Sequence, residues 1–161
     1  MNSAKMMMSA PNVVSICVDC FRDSGAEGRL YTKYGTEPRY FENSMELLGM
    51  LERFYDWLGY PQASTAGRTF EKAAGRIGQA GPAKPAKKKE KPEEVVDSEA
   101  LRTYRGRLAT FIVHVQYRQN ATWQGQITWE EEEKTQEFRS VLELFKLMDS
   151  AADTREENEA L

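Results

Sequence analysis

The stretch that decides the fold is FIVHVQYRQNATWQGQITWEEEEKTQEFRSVLELFKLM, residues Phe111 to Met148. Its hydrophobic pattern predicts a strand, a turn, a second strand and then an amphipathic helix. A shift of 97 positions, without a gap, aligns it with VSICVDCFRDSGAEGRLYTKYGTEPRYFENSMELLGML, residues Val14 to Leu51. Self-similarity at a fixed spacing indicates that a structural unit has been duplicated within the chain.

Several positions of the two copies hold identical or similar residues. The identical pairs are Val115 and Val18, Gly125 and Gly28, Phe138 and Phe41, Glu143 and Glu46, and Leu144 and Leu47. Similar residues coincide at Val113 and Ile16, Ile127 and Leu30, Leu142 and Met45, and Met148 and Leu51. We therefore interpret the chain as two ββα repeats.

The first copy shows the elements of such a unit in order. The alternation of apolar and polar residues from Val14 to Phe21 predicts a half-buried strand, and residues 28–34 predict its hairpin partner. Asn43 and Glu46 have the spacing of a helix capping box. The helix is expected to end at Gly59, because glycine accepts the backbone conformation that terminates a helix.

A single ββα unit of roughly 40 residues buries too little apolar surface to fold alone. The predicted fold class is therefore α+β: two ββα repeats forming a pseudo-two-fold, four-stranded, mostly antiparallel sheet with two helices on one face. The domain boundaries predicted from composition are a flexible tail (1–12), the first repeat with a loop or short helix (13–77), a charged linker (78–100), the second repeat (101–152) and a polar tail (153–161). A domain-swapped dimer, in which repeats pair between chains, is the alternative.

Composition limits the classes of protein to which the chain can belong. A hydrophobic content of 40% is sufficient for a core, so the chain is not expected to be wholly disordered. A net charge of −3 argues against a general binder of the phosphate backbone. The chain contains neither an apolar run of about 18 residues nor a recognisable signal segment, so we expect a cytoplasmic protein without a membrane span.

Cys17 and Cys20 form a CxxC pair, but a zinc site needs about four ligands and the chain has no third cysteine. Because the pair lies within a predicted strand, its two side chains are expected to face opposite ways. His114 is the only histidine, and Cys17 is its counterpart in the first copy, which makes them a nucleophile–base combination on paper. No acidic partner or glycine-rich elbow accompanies them, so we predict no metal, no cofactor and no enzymatic activity.

Two charged runs could contact a partner. Glu130 to Glu133 could bind cations, but consecutive acids at the end of a strand are usually hydrated, and we predict a solvated surface. Lys84 to Lys91 could touch nucleic acid. Its prolines and interleaved acids are more typical of a solvated linker.

The sheet face opposite the helices is the predicted interaction surface. The residues assigned to it are Tyr31, Lys33, His114, Gln116, Arg118, Trp123, Gln126 and Thr128. Arginine, tyrosine and tryptophan are favoured at protein interfaces. Aromatic and basic residues on a sheet can also stack on single-stranded bases, although the aromatic signature of the common RNA-binding sheets is missing here.

The runs HVQYRQNATWQGQITW (residues 114–129) and FRSVLELFKLM (residues 138–148) resemble a family of small uncharacterised proteins from Gram-positive gut bacteria. Members of that family look like accessory products of conjugative or other mobile elements. The first copy, with RLYTKY and LGYPQAST, is similar more loosely. The resemblance implies a bacterial cytoplasmic protein and supplies no catalytic or binding residues.

The function predicted from the sequence is a non-enzymatic protein-interaction module. Its partner is expected to be another protein, or a second copy of the chain through repeat swapping. The alternative is a nucleic-acid-associated accessory factor of a mobile element, which would bind through the open sheet face and the lysine-rich linker. The two hypotheses differ in salt dependence, because nucleic-acid binding falls steeply as salt rises.

Overall fold

The computed structural model describes residues 8–62, 70, 92–119 and 122–159. These residues form one six-stranded antiparallel sheet and three helices. In chain order the elements are β1 (Val14–Arg22), β2 (Gly25–Thr32), β3 (Arg39–Phe41), α1 (Ser44–Leu58), α2 (Ser98–Leu101), β4 (Ala109–Gln119), β5 (Thr122–Trp129), β6 (Lys134–Phe138) and α3 (Val141–Glu159). The strands lie side by side in the order β3–β2–β1–β4–β5–β6.

The predicted four-stranded sheet of two ββα repeats is wrong, because each half contributes a third strand at the outer edge. Sequence patterns missed these strands for a physical reason. Strand β3 has only three residues, and four of the five residues of β6 are exposed, so neither shows apolar alternation. At the centre of the sheet, β1 pairs with β4 and Ser15 lies opposite Ile112. These two residues are 97 positions apart, so a pseudo-two-fold axis passes between them.

Three of the five identical residue pairs form the same cross-strand row in each half. The rows are Val18–Gly28–Phe41 and Val115–Gly125–Phe138. Both phenylalanine side chains are buried beneath the helices. A β-bulge follows the valine of each row, between Val18 and Cys20 and between Val115 and Tyr117. The residues shared by the two copies therefore mark the place where each three-stranded half bends.

Helices α1 and α3 pack on one face of the sheet and build the larger core. Leu47, Leu51 and Phe54 of α1, with Leu144 and Met148 of α3, are buried against it. Both helix starts are capped, and the cap of α1 is the one that the sequence predicts. The Asn43 side chain accepts a hydrogen bond from the Glu46 N–H at 2.8 Å, and Ser140 accepts one from Glu143 at 3.0 Å. Gly59, with φ of 72°, ends α1 and donates its N–H to the Tyr55 carbonyl at 2.8 Å.

The opposite face of the sheet is covered by two chain segments, residues 8–12 and 92–108, which we call the cover. A second, smaller core lies beneath it and contains Val13, Cys17, Tyr31, Val96, Leu101 and Ile112. The two segments are joined where the Ser98 hydroxyl donates to the Met8 carbonyl at 2.6 Å. The N–H groups of Val95 and Val96 donate to the Lys33 carbonyl at 2.8 and 3.0 Å.

The structure differs from three of the boundaries expected from composition, two of them because of the cover. Residues 8–12 of the predicted tail and 92–100 of the predicted linker pack onto the sheet. Helix α3 runs to Glu159, into the predicted polar tail. The remainder of the linker and the short helix considered near residues 70–77 lie outside the described residues, except for residue 70 itself.

Candidate functional site

The eight residues predicted to form an open surface are mostly inside the protein. Five are buried, namely Tyr31, Lys33, His114, Arg118 and Trp123. Gln116 is exposed, whereas Gln126 and Thr128 are partly exposed. The expected surface fails as a set for two separate reasons, which are the bulge in β4 and the cover.

Arg118 and Trp123 lie on the helix side of the sheet. The bulge between Val115 and Tyr117 adds one residue to β4 and reverses the alternation beyond it. Arg118 is therefore paired with Trp123, which belongs to the larger core. Strict alternation from Val113 would have placed Arg118 on the opposite face.

Tyr31 and Lys33 lie under the cover. The Tyr31 ring stacks on the Tyr104 ring, with centroids 3.8 Å apart and planes within 5° of parallel. The Lys33 ammonium donates to the carbonyl groups of Met8 at 2.6 Å and Ala10 at 3.0 Å. Burial lowers the pKa of Lys33, and these carbonyls hold the charged head against the chain. Lys33 therefore anchors the cover instead of meeting a partner.

His114 is 9% exposed, and neither of its ring nitrogens has a hydrogen-bond partner among the described residues. Next to His114, the Asn12 side chain of the cover donates a hydrogen bond to the Val115 carbonyl at 2.6 Å. Burial lowers the pKa of His114, and the positive charge of Lys33 lowers it further. The neutral imidazole is the form that this site accommodates.

The free energy of unfolding is expected to fall as the pH is lowered from about 7 to about 5.5. The unfolded chain binds a proton at His114 near the ordinary histidine pKa of about 6.5, whereas the folded chain binds it only at lower pH. Protonation therefore favours unfolding in this window. Denaturant titrations at several pH values measure the slope, and His114→Gln, which removes the chain's only histidine, should flatten it. An unchanged slope in His114→Gln would contradict the assignment.

The two cysteines share one face, contrary to the expectation that they face opposite ways. The bulge after Val18 lies between them, and their cross-strand partners, Arg29 and Glu27, are two residues apart on β2. Cys17 is buried, which raises the pKa of its thiol. The Cys20 thiol donates to Glu27 at 3.3 Å. The part of the chain that the structure describes contains no group of three or more His, Cys, Asp and Glu side chains that could hold a metal ion.

Cys17 and His114 do not form a nucleophile–base pair. Cys17 lies opposite Thr110 on β4, four residues from His114, which corresponds to about 13 Å along the strand. The Cys17 sulfur instead lies 3.7 Å from the Ser15 hydroxyl oxygen.

The acidic run contains a structural carboxylate, although the whole run was predicted to be hydrated. The Glu130 side chain is only 5% exposed. Its carboxylate lies 3.3 Å from the guanidinium of Arg102 and 3.8 Å from that of Arg105. Both arginines belong to the cover. Glu130 therefore clamps the cover to the sheet at the end away from Lys33.

A more promising surface lies at the C-terminal end of α1, where sequence reasoning assigned no site. We call the two exposed rings at this end of the helix, Trp57 and Tyr60, together with Tyr34, against which Trp57 packs, the aromatic surface. Trp57 is 51% exposed and Tyr60 is 44% exposed. The Trp57 ring lies edge-on to Tyr34, with centroids 5.5 Å apart, and stacks on Phe54 at 6.2 Å. A tryptophan that lies off the buried face of this helix, which carries Leu47, Leu51, Phe54 and Tyr55, is the sequence signal that could have revealed it.

The aromatic surface borders a cleft of about 240 Å³ between α1 and the β2–β3 hairpin. We call it the first cleft. Leu30, Phe54 and Trp57 supply its apolar wall, while Glu37 and Arg39 supply charges of both signs. An exposed aromatic ring held by two others, beside a partly polar cleft, can receive an apolar side chain without rearranging.

Comparisons of the chain with protein-family models, with curated proteins and with solved structures find no match to any of them. Within the described ranges, none of the helices has the length and apolar character required to span a membrane.

Proposed function

We propose that the chain is a non-enzymatic protein-interaction module that binds its partner through the aromatic surface and the first cleft. The observation that carries the proposal is Trp57, whose ring is half exposed and yet held by Tyr34 and Phe54. Tryptophan and tyrosine are the residues in which binding energy concentrates at protein interfaces. A ring that is already fixed loses little side-chain entropy when a partner covers it.

The composition of the surface favours a protein segment as the occupant. The first cleft accepts one apolar side chain beside Trp57, and Arg39 and Glu37 at its edge can pair with polar groups of the same segment. This arrangement, with an apolar centre and a polar rim, is the usual anatomy of a protein interface. The sheet face that the nucleic-acid hypothesis requires lies beneath the cover, so the structure offers that hypothesis no support.

Replacing Trp57 should weaken partner binding at least tenfold, because truncating a central aromatic residue of an interface typically costs about 2 kcal/mol or more. The suitable variant is Trp57→Thr, since Thr154 stands at the equivalent position of α3 and shows that the helix accepts threonine there. Tagged protein would be incubated with lysate of its own host, with and without nuclease, and the retained proteins quantified by mass spectrometry.

Tyr117→Thr is the matched control. Tyr117 is 54% exposed, against 51% for Trp57, and pairs with Gln124 on the face away from the helices. A partner retained by the wild type and by Tyr117→Thr, but lost from Trp57→Thr, would support the proposal. Equal retention of the partner by Trp57→Thr and Tyr117→Thr would contradict the proposal. Material that disappears with nuclease would instead favour the nucleic-acid hypothesis.

A further inference from the structure

The pseudo-two-fold axis places a second cleft at the position equivalent to the first. It lies between α3 and strands β4, β5 and β6, has a volume of about 210 Å³, and is called the second cleft below. Ile127, Trp129, Ala151 and Thr154 line it. The residues 97 positions earlier, Leu30, Thr32, Phe54 and Trp57, line the first cleft. The repeat has therefore built the same concavity twice.

The two clefts differ in the helix residues that face them. In α1 these residues are Phe54 and Trp57, whose rings stack with centroids 6.2 Å apart. In α3 they are Ala151 and Thr154. The second cleft thus lacks the two helix rings of the first one, while Trp129 on β5 stands where the first cleft has Thr32. Its floor is apolar, because Phe111 and Ile127 are both buried in the larger core.

The rim of the second cleft carries a positive charge. Lys134 stands at the start of β6, paired with Trp129 across the strands, and has no ion-pair partner among the described residues. The hydroxyls of Ser150 and Thr154 donate to carbonyls of their own helix, to Leu147 at 2.8 Å and to Ser150 at 2.9 Å. The available polar groups of this cleft are therefore the Lys134 ammonium, the Gln136 amide and the indole N–H of Trp129, of which only Lys134 carries a charge.

We propose that the second cleft is a binding site for a small aryl carboxylate. The aromatic ring would fill the space left by Ala151, over Phe111 and Ile127, and the carboxylate would pair with Lys134. An apolar cavity of about 150 Å³ is large enough for benzene, so about 210 Å³ accommodates a ring with a short acidic arm. Apolar walls with a few convergent polar groups are typical of small-ligand sites. This proposal is independent of the aromatic surface and of its partner.

The test uses phenylacetate and indole-3-acetate with the full chain, monitored by two-dimensional amide NMR. Both acids should bind with a dissociation constant in the range of about 0.1–1 mM, as expected for ligands of this size. The largest shifts should map to β5, β6 and α3. The corresponding amides, which have the same shape without the charge, should bind about fivefold more weakly, because an exposed ion pair contributes about 1 kcal/mol or less.

Two variants separate the ring from the charge. Ala151→Phe introduces the ring that Phe54 supplies in the first cleft, so the helix should accept it, and binding of both acids should fall at least tenfold. Lys134→Gln should weaken the acids about fivefold and leave the amides unchanged. Thermal unfolding of each variant shows whether the fold is kept.

Absence of shifts at 10 mM acid would overturn the proposal. Undiminished binding by a folded Ala151→Phe would place the ligand elsewhere and also overturn it. Equal affinity for acids and amides, together with no effect of Lys134→Gln, would eliminate the carboxylate from the proposed ligand.

Discussion

Replacing Gly125 by alanine is expected to lower the free energy of unfolding by about 3 kcal/mol, the upper part of the range for forcing extra volume into a packed core. A Cβ atom at Gly125 would lie 2.0 Å from the His114 carbonyl oxygen. The obstruction is backbone on the paired strand, not the movable end of a side chain. The substitution can therefore be accommodated only by moving β5 away from β4.

The same result is expected for Gly28→Ala, because a Cβ there would lie 2.0 Å from the Cys17 carbonyl oxygen. Each glycine pairs with the residue just before a bulge, Val18 or Val115, and with a buried phenylalanine on its other side. The bulge brings the paired backbone close, and only glycine leaves room for it. Urea titration of the two variants measures both effects.

Two other glycines serve as controls. Gly35→Ala meets no atom within 4 Å and should change stability by less than about 0.5 kcal/mol. Gly49 lies inside α1, and its Cβ would meet only the flexible end of Arg53 at 3.4 Å. Gly49→Ala should therefore stabilise the protein by about 0.5–1 kcal/mol through helix propensity. A loss below 1 kcal/mol in Gly125→Ala would show that the strands tolerate the displacement.

These glycines also show what sequence comparison within the chain could establish. The shift of 97 positions matched Gly28 with Gly125 and Phe41 with Phe138. In the structure, Gly28 and Phe41 are cross-strand partners in the first half, and Gly125 and Phe138 are cross-strand partners in the second half. Helix caps at Asn43 and Ser140 were predictable because capping depends on residues three apart. Features that depend on residues close together in the sequence can therefore be predicted from sequence spacing alone.

The parts of the fold that the sequence did not predict depend on contacts between residues that are far apart in the chain. The edge strands β3 and β6 expose most of their side chains, so they follow from pairing rather than from a hydrophobic pattern. The cover joins residues about 90 positions apart, at Ser98 and Met8. A bulge shows no compositional signal, yet the one after Val115 moved Arg118 to the other face. Arg118 was misplaced because one inserted residue reverses every side chain beyond it, whereas Tyr31 and Lys33 were misplaced because the cover lies over them.

For the replacement of Arg118, the sequence and the structure predict very different changes in the free energy of unfolding. An exposed arginine on an open sheet could be replaced at little cost. In the structure its side chain is 7% exposed and joins the second half of the chain to the end of α1. Its Nε–H donates to the Pro61 carbonyl at 2.7 Å, and its guanidinium lies 5.5 Å from the centre of the Tyr55 ring. Arg118→Leu should lower the free energy of unfolding by about 2–3 kcal/mol, because the Pro61 carbonyl loses a charged donor.

The ion pair of Arg118 with Asp56, at 2.9 Å, should account for little of that cost, since the Asp56 side chain is 69% exposed and water screens the pair. Asp56→Asn is therefore the informative control, with an expected loss below about 1 kcal/mol in the same urea titration. If Asp56→Asn proved as costly as Arg118→Leu, the ion pair and not the Pro61 contact would hold this end of α1. Because Pro61 directly follows Tyr60 of the aromatic surface, Arg118→Leu should also weaken partner binding, whereas Asp56→Asn should leave it nearly unchanged. The aromatic surface of the first half would then depend on an arginine of the second half, so the two halves of the chain would be needed together for binding.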